Sequence, residues 1–241
     1  MIGFTPTPGL RAHVVARWLR DDVGPLPPSL PEPAVDLLVI PGRGLWLAGA
    51  EQVARQGSLP PGGKLTGFRL RPGACLAWFG VAADEVPVGG APIEELLGAR
   101  DARALEAGRL EPKREPDELM LRVVRAMDAR PELTVAEHAD LACLSERQLR
   151  RRFGQAVGLR PKAYLRVTRL HRAVDSARES LTLGKPPHWA DIAARHGFYD
   201  QPHLLAEFRR SAGCLPGALA DGRFLQAMAA PPSSRSADDQ H

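Results

Sequence analysis

The residues with most chemistry to offer are guanidinium groups. Between Ser145 and Arg172 nine cations (Arg147, Arg150, Arg151, Arg152, Arg160, Lys162, Arg166, Arg169 and Arg172) stand against one acid, Glu146. Arginine presents a planar fork of donors that matches both guanine edges and phosphate, so this is the chemistry of recognising a polyanion. Spacing sharpens the point. Ser145 can cap a helix running to about Val157, with Leu149, Phe153 and Ala156 on its inner side. At roughly 100° per residue, Arg147, Arg151 and Gly154 then face outward, with Gln148, Arg150 and Gln155 on the flanks. Gly158 stops this helix, and Pro161 suits the first turn of another.

Elsewhere the chemistry is thin. His13 is the only histidine before residue 138, which leaves the first half without a histidine-based metal set. Gly42-Arg43-Gly44 lacks the third glycine of a dinucleotide loop, and Pro61-Gly62-Gly63-Lys64 lacks the spacing of a phosphate loop. Asp84-Glu85 and Glu94-Glu95 are adjacent acids of the kind that polar turns solvate. No cofactor, metal or catalytic constellation follows, and the chain reads as a non-enzyme. Cys75, Cys143 and Cys214 are odd in number and widely spaced, which speaks against a disulfide framework and fits a reducing cytoplasm. Cys143 is expected to be a small buried thiol, and His138 a satisfied, partly buried histidine. Apolar residues make up 44% of the chain, and no apolar run approaches membrane-spanning length.

Charge is unequally divided. Residues 1–112 hold 11 basic and 12 acidic side chains, whereas residues 113–241 hold 21 and 16. The polyanion partner therefore belongs to the second half.

The elements that must position these residues can be read in order. Residues 5–20 place Leu10, Val14, Val15 and Trp18 at helical spacing, and residues 24–33 are a proline-rich loop. Strands are expected over 34–40, 44–50 and 64–73, a short helix over 74–81 and a helix pair over 92–108. The division is a β-rich domain over 1–110, a linker over 111–118, an all-helical domain over 119–228 and a disordered tail over 229–241. The class is α+β. Within the helical part a pattern recurs. Leu149 and Phe153 match Leu204 and Phe208, each pair follows a small helix with alanine at the matching place (Ala139, Ala194), and Gly158…Pro161 matches Gly213…Pro216. This is a pair of helix–turn–helix units joined by a long helix over 163–181.

Two such units, with SERQLRRRFGQAVGLRP (145–161) in the first and GFYDQPHLLAEFRRSAGCLP (197–216) in the second, resemble the AraC/XylS family of bacterial transcription regulators. The resemblance covers about 119–220. VDLLV (35–39), LWLAGAE (45–51) and GFRLRPGACLAWFGV (67–81) are similar to the partner domain of one branch, which is cupin-like or otherwise β-rich. The resemblance implies sequence-specific binding to double-stranded DNA, with one reading helix from Ser145 and another from Gln201. It places Arg147, Arg150 and Arg151 at base-contacting positions, with Gln148 and Gln155 beside them. In the second helix Pro202 and Ala206 stand where donors are usual, leaving Gln201, Arg209 and Arg210 as its polar reach. It also implies that the first domain senses a small effector or mediates homodimerisation, or alternatively is a ligand-independent assembly module that contacts RNA polymerase. Arg69 and Arg71 are the candidates for an anionic effector. The reading from another class is a DNA-repair protein with a borrowed DNA-binding module, which three dispersed cysteines serve poorly.

The charge division predicts that DNA contacts map to residues 113–241, with affinity falling steeply as salt rises. DNA binding by the 1–112 fragment in a salt-titrated mobility-shift experiment would overturn this assignment.

Overall fold

Alternating apolar residues in the first half build one antiparallel sheet. The computed structural model describes residues 4–20, 30–54 and 65–214. Within them the strands are β1 (Val14–Arg20), β2 (Asp36–Ile40), β3 (Gly44–Ala48), β4 (Leu65–Leu70) and β5 (Ala91–Pro92), in the order β1-β4-β2-β3-β5. The sheet is open among the described residues. Most of the proline-rich stretch, Pro216, the end of the second domain and the tail lie outside them.

The segment expected to be helical over 5–20 is mostly strand. A four-residue helix, α1 (Pro8–Arg11), is capped by Thr7, and the chain then enters β1. Val14 and Trp18 are four apart, which places them on one face of a helix and equally of a strand. The β-branched Val14-Val15 pair and the ladder offered by β4 decide for the strand. Trp18 lies opposite Gly67 on β4, where a Cβ would stand 2.1 Å from the indole ring. Glycine there leaves room for the indole ring against β4.

Helices cover the sheet. Trp78 and Phe79 of α2 (Ala74–Phe79) and Leu105 of α4 (Ala99–Glu106) pack with Leu37, Leu47 and Phe68 in the first core. The 3-10 turn Ala83–Glu85 and α3 (Ile93–Leu97) complete this domain.

The second half follows the expected helical order: α5 (Glu118–Ala129), α6 (Val135–Leu141), α7 (Glu146–Val157), α8 (Pro161–Thr182), α9 (Trp189–Arg195) and α10 (Gln201–Ala212). α8 carries Tyr164 and Leu165 into a core shared with α5, α6 and α7. Two turns on, its Leu170, Ala173, Val174 and Ala177 enter a separate core shared with α9 and α10. One helix thus supports both units.

The segment 111–118 is not a free tether. The Lys113 and Arg114 N–H groups both donate to the Ala77 carbonyl, at 2.8 and 3.2 Å. Asp117 caps α5 by accepting from the Met120 N–H, and it also receives the Arg152 fork at 2.7 and 3.0 Å. Residues of the first domain enter both helical cores, Ala50 the one and Leu30 the other.

Gly67→Ala is expected to destabilise the chain by about 1–3 kcal/mol through overpacking against Trp18. Denaturant unfolding of Gly67→Ala with and without Trp18→Leu checks this. The smaller partner should recover part of the loss.

Candidate nucleic-acid interface

α7 begins with a reciprocal cap. Ser145 Oγ accepts from the Gln148 N–H at 3.2 Å, and Gln148 Oε1 accepts from the Ser145 N–H at 2.9 Å. The Gln148 carbonyl is therefore committed to starting the helix. Leu149 and Phe153 are fully buried, and Phe153 meets Tyr164 of α8 edge-on at 5.3 Å. With that seam fixed, Arg147, Arg150, Arg151 and Gln155 are all exposed. Arg150 pairs with Glu146 one turn back. Arg147 and Arg151 have no hydrogen bond or ion pair among the described residues. Arg152 is spent on Asp117.

Gly154 departs from the outward placement it shares with Arg147 and Arg151. It is buried, because the first domain covers it, and a Cβ there would stand 2.9 Å from Asp84 Oδ2. The outer face of α7 is thus open over its first two turns and closed by the first domain at its last.

α10 is built on the same plan. Asp200 caps it, accepting from the His203 N–H at 2.7 Å. Leu204 and Phe208 are buried, and Phe208 packs edge-on against Trp189. Pro202, Ala206, Arg209 and Arg210 are exposed, whereas Gln201 is half-buried. Arg210 pairs with Glu207 on its own helix, and Arg209 is untied among the described residues. The open face of this helix carries far less hydrogen-bonding capacity than that of α7.

The two turns differ by one residue, which corrects the matching alanine. In the first turn the Leu144 N–H donates to the Ala139 carbonyl; in the second the Phe198 N–H donates to that of Ala193. Ala193, not Ala194, is the buried counterpart of Ala139, and Ala194 is exposed. The additional residue is Tyr199, which is 92% exposed. Cys143 is also corrected. It is exposed and not buried, because it takes a left-handed backbone, φ 53°, at the place where the second turn has Gly197 at φ 72°. His138 is more deeply buried than expected. Its Nε2–H donates to the Arg130 carbonyl at 3.2 Å, and Nδ1 has no hydrogen-bond partner among the described residues.

An open cleft of about 1140 Å³ runs beside α7, lined by Arg150, Arg151, Arg160, Lys162 and Arg169, with Gln52 and Asp84 from the first domain at its edge. Its five cations all belong to the cluster between Ser145 and Arg172, but spacing within one helix does not show that α7, the following turn and α8 bring them to one cleft.

Arg69 and Arg71 do not form an anion site together. Arg69 is held at 2.8 Å from Glu32 and 3.2 Å from Asp36, so its charge is already met inside the domain. Burial pushes the Glu32 carboxyl above its ordinary range even with Arg69 beside it. Arg71 is exposed, and its N–H donates to the His13 carbonyl. Cys75 is buried, and desolvation pushes its thiol up to about 12, which makes it a poor nucleophile. No helix among the described residues is long and apolar enough to cross a membrane.

Residues 138–221 match the family described as a helix-turn-helix domain. Among solved structures the chain is similar to a transcriptional regulator with an AraC-type DNA-binding domain from Chromobacterium violaceum, at 26% identity over 44% of this chain and 92% of that one, TM-score 0.39. It is similar to the C-terminal domain of AraT, a response regulator from Geobacillus stearothermophilus, at 20% identity over 52% and 96%, TM-score 0.39. It is also similar to unsaturated fatty acid bound ToxT from Vibrio cholerae, at 9% identity over 86% and 93%, TM-score 0.42. No curated protein matches the chain.

His138 lies in the middle of α6, and His196 caps the C-terminal end of α9. Burial first, then neighbouring arginines, hold both below the ordinary value of 6.5. Between the folded and unfolded values the unfolded chain binds more protons, so stability falls as pH drops below about 6.5. Urea unfolding at about pH 7.5 and about pH 5.5 should show a larger loss for the wild type than for His138→Gln, in which the group that charges is gone.

Proposed function

We propose that this chain is a DNA-binding transcription regulator of the AraC/XylS type, a reading supported by the helix-turn-helix match over 138–221, and that it divides the reading of its site between two helices. α7 enters one major-groove segment and α10 the next, about one turn of the duplex away. Arg147 and Arg151 read base edges, and Arg150 joins them by exchanging Glu146 for DNA. Gln155 reaches the backbone, and Gln148 serves chiefly as the cap. In α10, Gln201, Arg209 and Arg210 contact phosphate. Pro202 and Ala206 offer shape and no donors, so this half is read weakly. The cations of the cleft beside α7 supply affinity by neutralising phosphates. The observation that carries this reading is the pair Arg147 and Arg151, exposed and untied at the centre of the open face of α7. The chain acts by binding and not by catalysis, in the cytoplasm where its DNA lies.

The first domain senses a small effector in this reading, at a place other than Arg69. A cleft of about 500 Å³ is floored by Phe4, Val14 and Phe68 and rimmed by Arg11 and Arg17, with Arg17 lying 6.0 Å over the Phe68 ring. Two arginines over an apolar floor suit an anion with an apolar body.

Arg147→Ala or Arg151→Ala should cost about 1–3 kcal/mol on the preferred site and relax base choice there. Arg209→Ala or Arg210→Ala should weaken all sequences about equally. Selection from a random duplex library with the wild type and these variants checks both. Equal information in the two half-sites, or base choice that survives the loss of Arg147 and Arg151 together, contradicts the reading.

A further inference from the structure

The two reading helices are held at their far ends in the same way. Ala156 of α7 and Ser211 of α10 occupy equivalent places, each following the inward phenylalanine and preceding the closing glycine, Gly158 or Gly213. Carbonyls in the last turn of a helix have no intrahelical donor. Here each is met by a backbone N–H of the first domain: Gly73 donates to Ala156 at 2.7 Å, and Ala54 to Ser211 at 2.5 Å. Apolar contacts back both grips. Ala50 is buried in the core under α7, and Leu30, 2% exposed, is buried in the core under α10. The intervening pieces are joined to each other, since the Glu51 N–H donates to the Glu32 carbonyl at 2.6 Å. They are joined to α8 as well, because His171 Nε2–H donates to the Pro31 carbonyl at 2.7 Å.

We infer that residues 30–32 and 50–54 form a strap that fixes α7 and α10 relative to each other, and so sets the half-site spacing the chain accepts. α8 by itself fixes how far apart the two units lie, but a single helix bends and twists along its length. The strap is a second connection between the same two bodies and removes that freedom. Leu30 and Ala54 are positioning residues that act through the helices they hold. The inference rests on α7 and α10 both meeting DNA. Inserting one base pair between the half-sites moves the second about 3.4 Å along the duplex and roughly a tenth of a turn around it. A braced pair of readers cannot follow that shift, whereas a loosened pair can.

The test uses the full chain and a duplex carrying both selected half-sites, with none, one or two base pairs inserted between them, and a duplex carrying the first half-site alone. The variants are Leu30→Ala, which empties the anchor under α10, Ala54→Pro, which removes the donor to Ser211, and the conservative Leu30→Met. Because α10 reads its half weakly, the wild type and Leu30→Met should lose roughly threefold in affinity on a one-base-pair insertion, the part of binding that depends on the second half-site. In Leu30→Ala and Ala54→Pro this penalty should disappear, while affinity and base choice on the first half-site alone stay as in the wild type. An insertion penalty as steep in both variants as in the wild type overturns the inference. So does a proportional loss on every duplex, which marks lost folding alone, or a wild type indifferent to spacing. Absence of any selected half-site would instead count against the reading of DNA by these helices.

Discussion

The second helix of each helix–turn–helix unit has too little to bury. α7 and α10 are twelve residues long and turn only a narrow apolar seam inward, Leu149 with Phe153 and Leu204 with Phe208. A helix of that length is marginal by itself in water, and a guanidinium-rich face adds mutual repulsion on the side that must stay open. Its shape therefore has to come from its surroundings. α8 supplies the floor under both seams, the preceding short helices supply a wall, and caps at Ser145 and Asp200 fix the starting points.

The first domain belongs to the same solution. It meets the orphan carbonyls Ala156 and Ser211, lays Asp84 over Gly154, and contributes Ala50 and Leu30 to the two helical cores. Small residues make this approach possible. At Gly158 a side chain would meet the Ala83 carbonyl at 3.0 Å and Ala50 at 3.2 Å. The Arg152–Asp117 fork shows the same economy, in that one arginine of the basic cluster is withdrawn from the open face to pin α7 to the segment that joins the domains. A basic cluster that is one patch in the sequence is thus divided into exposed, untied cations, such as Arg147 and Arg151, and braces, such as Arg152.

Much of the fold was legible before any coordinates. Strand β2 is legible as an apolar run ended by Pro41-Gly42, β3 as the apolar run that follows it and β4 as an alternating segment ended by Pro72-Gly73, and the helices are legible by seams at three- and four-residue spacing. The errors have definite causes. Val14 and Trp18 fit both periods, and only the ladder from β4 separates them. Ala194 was matched by counting back from Leu204, but the second turn is one residue longer, so the buried position is Ala193. Cys143 was read from its size, whereas its backbone sign decides that the side chain leaves the turn outward. Arg69 is a candidate anion ligand in the sequence, but the fold brings Glu32 and Asp36, more than thirty residues away, onto its guanidinium group.

The sequence by itself determined whatever depends on neighbours along the chain: the helix–turn–helix repeat, the caps, the cationic outer face of α7 and the poverty of that of α10. Those follow from periodicity and residue chemistry, which act within a few residues and survive any arrangement of the larger pieces. Tertiary structure alone decided which cations are free and which are committed, that Gly154 lies under Asp84, and that segments from the first domain reach both reading helices. These are contacts between residues up to 157 positions apart, as Ala54 and Ser211 are. The contacts to Ala156 and Ser211 are fixed by where a helix end leaves a carbonyl without a donor, and no local pattern in the sequence records which distant N–H will meet it.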